Sequence, residues 1–227
     1  PRVGALIETP ALYLYMSGRD NLRAFASVLG GVPESRIDTV LELVGLFERA
    51  KDRVGTYSLG MKQRLGVAIA LLQDPDLLIL DEPANGLDPA GIVEMRDLLH
   101  RLSSENKTVL ISSHMLTEVQ QICTRVAIIN HGKLITETSV DDLLSGQGNY
   151  TVKVEHAAEA LALVREQPWG KDARLDSGSL VTLAPNGRGR DLNLFLVHAG
   201  FVPDSLAQTT QDLERVFLQL TGAGESL

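Results

Sequence analysis

A continuous apolar run, Leu77-Leu78-Ile79-Leu80, opens after Asp76 and closes on Asp81-Glu82-Pro83. An apolar run without alternation reads as a strand covered on both faces, the kind that belongs in a parallel sheet flanked by helices. Its surroundings agree. Upstream, Ser58 is an N-cap for a helix that sets Met61, Leu65, Ala68, Ile69 and Leu72 on one stripe. Downstream, Asp88-Pro89 joins an N-cap to a proline at the first helical position, and Ile92, Met95, Leu98, Leu99 and Leu102 form that helix's inward face. Thr108–Ser112 is another buried strand, 115–123 a short helix and Val126–Ile129 a third strand. Strands alternating with helices imply parallel crossovers and an α/β sheet.

The flanks differ in character. Val3-Gly4-Ala5-Leu6-Ile7-Glu8 opens the chain, and Leu22, Phe25, Ala26 and Leu29 follow at helical spacing, ended by Gly30-Gly31. A helix from about Glu34 carries Ile37, Val40, Leu41 and Val44 on one face. Asn130-His131-Gly132-Lys133 has the turn chemistry to fold Leu134-Ile135 back as a hairpin. Beyond Ser145-Gly146-Gln147-Gly148 the period becomes two, with Tyr150–Glu155 and Ser179–Ala184 as strands, helices over 157–167 and 191–199, a strand from Phe201 and a closing helix over Asp212–Leu220. Taken as β-α-β-β-α-β with a final helix, three of the four strands being placed by residue, this half predicts a small α+β sandwich of ferredoxin type. Two domains are expected: 1–148, with a helical subdomain over about 11–75, and an accessory domain over 149–227.

Charge and cysteine content narrow the function. Lys and Arg number 21 against 29 Asp and Glu, a formal charge of −8 over 227 residues. An acidic chain is poorly suited to neutralising phosphate backbones, so no nucleic-acid partner is expected. The single cysteine, Cys123, forms no internal disulfide and no thiolate cluster. No run approaches the roughly 20 apolar residues of a membrane span. The chain starts at Pro1 with no methionine, so it is expected to be a fragment of a longer protein.

The chemistry gathers at strand ends. In open α/β sheets ligands bind beyond the carboxyl ends of the strands, where Asp81 and Glu82 lie. Adjacent side chains diverge there, so one carboxylate is free to hold Mg²⁺ while the other reaches an attacking water, as phosphoryl transfer to water requires. His114 follows the next buried strand and is expected at the same edge as Glu82. Ser58 with Gly60 exposes backbone N–H groups at a positive helix end, an anion site in its own right.

Together these residues resemble a known family. Ser58-Leu59-Gly60-Met61-Lys62-Gln63-Arg64 looks like the signature motif of ABC ATPases, Leu-Ser-Gly-Gly-Gln followed by a basic residue, Gln and Arg. Asp81-Glu82-Pro83 resembles the end of their Walker B strand, Asn85-Gly86-Leu87-Asp88 their D-loop and Ser112-Ser113-His114 their switch-histidine loop, in the family's order across roughly residues 1–140. The resemblance implies a P-loop NTPase-type sheet with a helical subdomain, and ATP and Mg²⁺ as cofactors. It implies that Asp81 coordinates Mg²⁺, Glu82 polarises the attacking water and His114 contacts the γ-phosphate. Ser58, Gly60 and the neighbouring Met61 would lie at ATP bound mainly to a second, head-to-tail ATPase subunit, and Asp88 would cross that interface. A separate transmembrane permease would dock around residues 11–30, which include Tyr13, Tyr15 and Met16.

Departures from the family pattern are also legible. Leu59 and Met61 replace a signature glycine and the signature glutamine. Glu8 stands in the place of the Q-loop glutamine, where it would bind ATP and metal-bound water while adding negative charge. Ile-Glu-x-Pro stretches of this kind are similar to those of bacitracin- and daunorubicin-resistance exporters, as is the segment Asp212–Phe217. No Gly-x-x-x-x-Gly-Lys-Ser/Thr occurs in the sequence, so the phosphate-cradling loop is expected upstream of this fragment, and the fragment alone is expected to be inactive. Loss of the strands carrying that loop is expected to leave apolar sheet surface exposed. The leading expectation is the ATP-hydrolysing subunit of an exporter, peripheral on the cytoplasmic face of a bacterial membrane. A non-catalytic interaction protein derived from such an ATPase, or a non-transport ABC protein, is the alternative.

Overall fold

Residues 2–105, 107–144, 148–208 and 212–221 are described by a computed structural model, in which the chain divides into two units, Pro1–Ile122 and Cys123–Leu227. The first unit is built on a parallel sheet of β1 (Val3–Leu6), β2 (Leu77–Asp81) and β3 (Thr108–Ser112), in that spatial order. Register is strict: Leu6 lies opposite Leu80, and Asp81 opposite Ser112. The segments after all three strands therefore leave the sheet at one edge.

Between β1 and β2 lie α1 (Gly18–Val28), α2 (Glu34–Leu43) and α3 (Leu59–Ala70), which pack on one another. Ser17 caps α1 and Ser58 caps α3, each accepting from an N–H of the first turn. α4 (Pro89–Ser104) returns the chain to β3, and α5 (Leu116–Ile122) follows it. One core joins helices and sheet: Leu22, Ile37 and Leu41 are continuous with Leu65, Leu78, Leu80 and Met95. Within this unit Gly4 makes the closest approach, because a Cβ there would lie 2.2 Å from the carbonyl oxygen of Ala70.

The β2 strand is covered on one face, not two. Leu78 and Leu80 are fully buried, but Ile79 is 38% exposed and its in-register neighbour Leu110 is 57% exposed. Val3 lies on the same open face. Unbroken hydrophobicity here marks a strand built to be covered on both sides, while the helices of this unit cover only one.

In the second unit, β4 (Arg125–Asn130) and β5 (Lys133–Ser139) form an antiparallel hairpin. The expected parallel crossover into β4 is therefore not made; the third parallel strand is β1. Successive positive φ angles at His131 and Gly132 build a tight turn whose twist suits a hairpin, and β5 then pairs β4 from Arg125 to Asn130. Next come α6 (Val140–Leu144), β6 (Tyr150–Val154), α7 (Ala157–Arg165), β7 (Arg174–Asp176), β8 (Ser179–Thr182), α8 (Gly189–His198), β9 (Pro203–Gln208) and α9 (Leu213–Thr221). Spatial order β7-β8-β6-β9, antiparallel throughout, is the ferredoxin-like arrangement. Its core holds Val152, Val164, Leu180, Leu192 and Leu196, with Trp169 edge-on to Phe195 at 5.2 Å.

The units divide after Ile122, earlier than the expected boundary near residue 148. α6 lies against both β5 and α9, which ties the hairpin segment to the C-terminal part. The 145–147 stretch of the expected linker lies outside the described residues.

Candidate active site at the carboxyl edge of the parallel sheet

Three strand ends bring the predicted chemistry together. Asp81 is the last residue of β2, and its Oδ1 accepts a hydrogen bond from the Ser112 hydroxyl at the end of β3. Glu82 turns the chain with φ +46°, a left-handed backbone that a side chain rarely adopts. Its N–H is accepted by the carbonyl oxygen and by Oγ of Ser112, both at 3.2 Å. The turn carries the Glu82 carboxylate to the loop after β3. There Oε1 accepts from the N–H of His114 at 3.1 Å and meets His114 Nδ1 at 2.9 Å. With Glu82 ionised, Nδ1 carries the proton and donates, leaving Nε2 to other partners. Glu82 is mostly covered and His114 mostly exposed, so the acid is held in place while the imidazole faces incoming groups. The two acids diverge as expected, and His114 emerges beside Glu82.

Glu8 follows β1 at the same edge and also has a positive φ, +42°. Its carbonyl oxygen accepts from Nε2 of Gln63, a buried residue of α3. Beside that bond, a Cβ at Gly66 would sit 2.8 Å from Cβ of Pro10, so α3 is pressed against the segment after β1. One helix thus carries the Ser58 cap at its start and grips the Glu8 loop along its length.

A second constellation lies at paired helix N-termini. Ser58 Oγ accepts from the N–H of Met61 at 3.2 Å, and Asp88 Oδ1 accepts from the N–H of Gly91 at 2.9 Å. Ser58, Leu59, Gly60, Gly86, Leu87 and Asp88 border one open depression. Leu59 fills the space over Gly86: a Cβ on that glycine would lie 3.3 Å from Leu59 Cδ2. Unpaired first-turn N–H groups and two positive helix ends suit an anion. Arg64 fixes the arrangement from behind, bonding the Val44 carbonyl at 3.0 Å and Glu94 of α4 at 3.0 Å. Met61 stands apart, half-buried against the helical core.

These donors fit the implied groups in part. Mg²⁺ takes one or two carboxylates together with phosphate oxygens and waters, and no protein cage. Asp81, with one oxygen already held by Ser112, and Glu8 at the same edge supply such hard oxygens. Among the described residues no three His, Cys, Asp or Glu side chains gather into a metal cluster. For ATP, the depression at Ser58 and Gly60 offers N–H donors, whereas the sequence holds no phosphate-cradling loop. Ser112 and Gln63 lie in the switch-histidine-like and signature-like stretches, but their partners are set by register and packing: Asp81 opposite Ser112, and the Glu8 carbonyl against Gln63.

Comparison with known proteins places the chain among ABC transporter ATP-binding proteins. Residues 2–85 match the family model described as ABC transporter. The chain is 49% identical over 166 residues to the uncharacterized ABC transporter ATP-binding protein YhcH of Bacillus subtilis (strain 168), covering 72% of this chain and 54% of that protein. It is 39% identical over 226 residues to the bacitracin transport ATP-binding protein BcrA of Bacillus licheniformis, covering 98% of this chain and 74% of that one. A solved structure of an ATP binding subunit of an ABC transporter aligns with a TM-score of 0.52 at 28% identity, over 63% of this chain and 60% of that one.

Proposed function

This chain belongs to the family of ABC transporter ATP-binding proteins, and we propose that it supplies the water-activating edge and the signature surface of an exporter's ATP-hydrolysing subunit. The observation that carries the reading is the Glu82–His114 pair at 2.9 Å beside Asp81, on the edge shared by the ends of β2 and β3. Glu82 takes the role of base toward water, its carboxylate anchored by the N–H of His114. His114 contacts the γ-phosphate through its exposed ring. Asp81 and Glu8 would hold Mg²⁺, which when bound neutralises phosphate charge and orients its oxygens.

Ser58 and Gly60 would meet ATP held mainly by a second ATPase subunit, with Asp88 at the same interface. The 227 residues alone are inactive in this reading, because the backbone N–H groups and lysine of a phosphate loop are not among them. No helix among the described residues is long and apolar enough to cross a membrane. By likeness to transport ATP-binding proteins, a permease subunit is the proposed partner, and attachment to it would place this chain at the cytoplasmic face of a bacterial membrane. Tyr13 and Tyr15, 46% and 70% exposed and edge-on at 6.0 Å, are the surface proposed to receive it. An antibiotic peptide is the proposed cargo, from the bacitracin transport named for BcrA and the lantibiotic transport named for SrtF of Streptococcus pyogenes.

ATP turnover by the full-length protein assembled with its permease tests this. Glu82→Gln is expected to lower kcat by about a hundredfold or more with ATP binding retained. Turnover within twofold of wild type would remove Glu82 from the chemistry. The 227-residue chain is expected to show none, and a turnover there that Glu82→Gln abolishes would overturn its inactivity.

A further inference from the structure

We propose that Ser112 is a positioning residue for both acids, its one hydroxyl holding Asp81 and Glu82 in divergent poses and aiming Glu82 at His114. The inference rests on the reading of Glu82 as the group that acts on water. Parallel register sets Asp81 directly opposite Ser112. A hydroxyl has one hydrogen and two lone pairs. Its hydrogen goes to Asp81 Oδ1, so toward the Glu82 N–H at 3.2 Å the same oxygen acts as acceptor. The Ser112 carbonyl accepts from that N–H as well. One residue thus supplies both acceptors for the amide of Glu82 and a donor to Asp81.

This matters because Glu82 is in the left-handed region, which persists at a non-glycine residue only where the surroundings over-determine it. A relaxed, extended Glu82 would continue the strand and set its side chain on a face of the sheet. The left-handed one turns sideways, and its Oε1 then reaches both the N–H and Nδ1 of His114. The neighbouring serine does ordinary work by contrast: Ser113 Oγ accepts from the N–H of Met115, two residues on, a local turn bond. Among the described residues, the bonds of the Ser112 hydroxyl run across the sheet, to Asp81 and Glu82.

The test uses the full-length protein assembled with its permease. Because Ser112 is exposed and water competes for its partners, Ser112→Ala is expected to lower kcat about tenfold, with the KM for ATP within twofold and the melting temperature little changed. Ser112→Thr keeps the hydroxyl on a strand-favouring side chain and is expected to restore turnover. In nucleotide-free protein, hydrogen exchange at the Glu82 amide is expected to quicken about tenfold in Ser112→Ala. If Ser112→Ala does not fold, Ser112→Cys replaces the hydroxyl by a slightly larger thiol, weakens both bonds and gives the same readings. Wild-type kcat in Ser112→Ala while Glu82→Gln is inactive overturns the proposal, as does an unchanged exchange rate. Turnover retained in Glu82→Gln would instead sink the underlying assignment of the base, and the exchange rate would still decide the positioning.

Discussion

Replacing Gly4 with alanine tests how α3 is seated on the sheet. The added Cβ would lie 2.2 Å from the carbonyl oxygen of Ala70 and 3.0 Å from Pro75 Cγ, where ordinary contacts begin at 3.4 Å. The obstacle is backbone, so no rotamer change relieves it. Either α3 or β1 must move by more than an ångström, and β1 is paired to β2 from Val3 to Leu6. Alanine recovers about 0.5–1 kcal/mol that glycine loses in a strand. Overpacking costs about 1–3 kcal/mol, and a backbone obstacle sits at the upper end. The net expectation is a loss of about 2 kcal/mol, roughly thirtyfold in the folded-to-unfolded ratio. Urea denaturation followed by circular dichroism reads this as a lower midpoint at unchanged slope. Gly30→Ala is the control: nothing lies within 4 Å of its Cβ, but its φ of +90° suits only glycine, so the cost is conformational, about 1 kcal/mol. A Gly4→Ala midpoint equal to wild type, or a loss smaller than that of Gly30→Ala, would refute the steric argument.

Two further expectations concern titration. The Lys107 ammonium hydrogen-bonded to Asp74, aided by Arg36, holds that carboxyl below its ordinary 3.8. Its stabilisation is present above pH 3.8 and is lost as pH falls through the lowered folded value, so Asp74→Asn is expected to flatten the acid limb of stability below about pH 4, and an unchanged limb counts against the contact. Burial pushes the Cys123 thiol above its ordinary 9.0. Iodoacetamide is therefore expected to label it more slowly than a free thiol at pH 8 and at the free rate once the chain is unfolded; equal rates in both states would contradict the burial.

The candidate site was legible because it sits in short, local patterns. Ser58 and Asp88 cap helices with neighbours three residues away, and Asp81-Glu82 follows a strand that its own composition announces. Element type was legible for the same reason, except that the three-residue strand Arg174–Asp176 of the C-terminal half is too short and too exposed to announce itself. Less visible was the membership of strands in sheets. Val126–Ile129 reads both as one more parallel strand and as the first arm of a hairpin; the hairpin with β5 forms, and the third parallel strand is Val3–Leu6.

The sequence by itself determined most of the helices and strands, where the helices are capped and which side chains are candidates for phosphate chemistry, since all of these depend on near neighbours in the chain. Only the tertiary structure decided that Ser112 lies opposite Asp81, that Gln63 holds the Glu8 carbonyl across 55 positions, and that one face of β2 stays open. Those facts depend on register and on the closeness of packed backbones. Both are set by interactions summed over the whole sheet and its helices, and no local pattern in the chain records that sum.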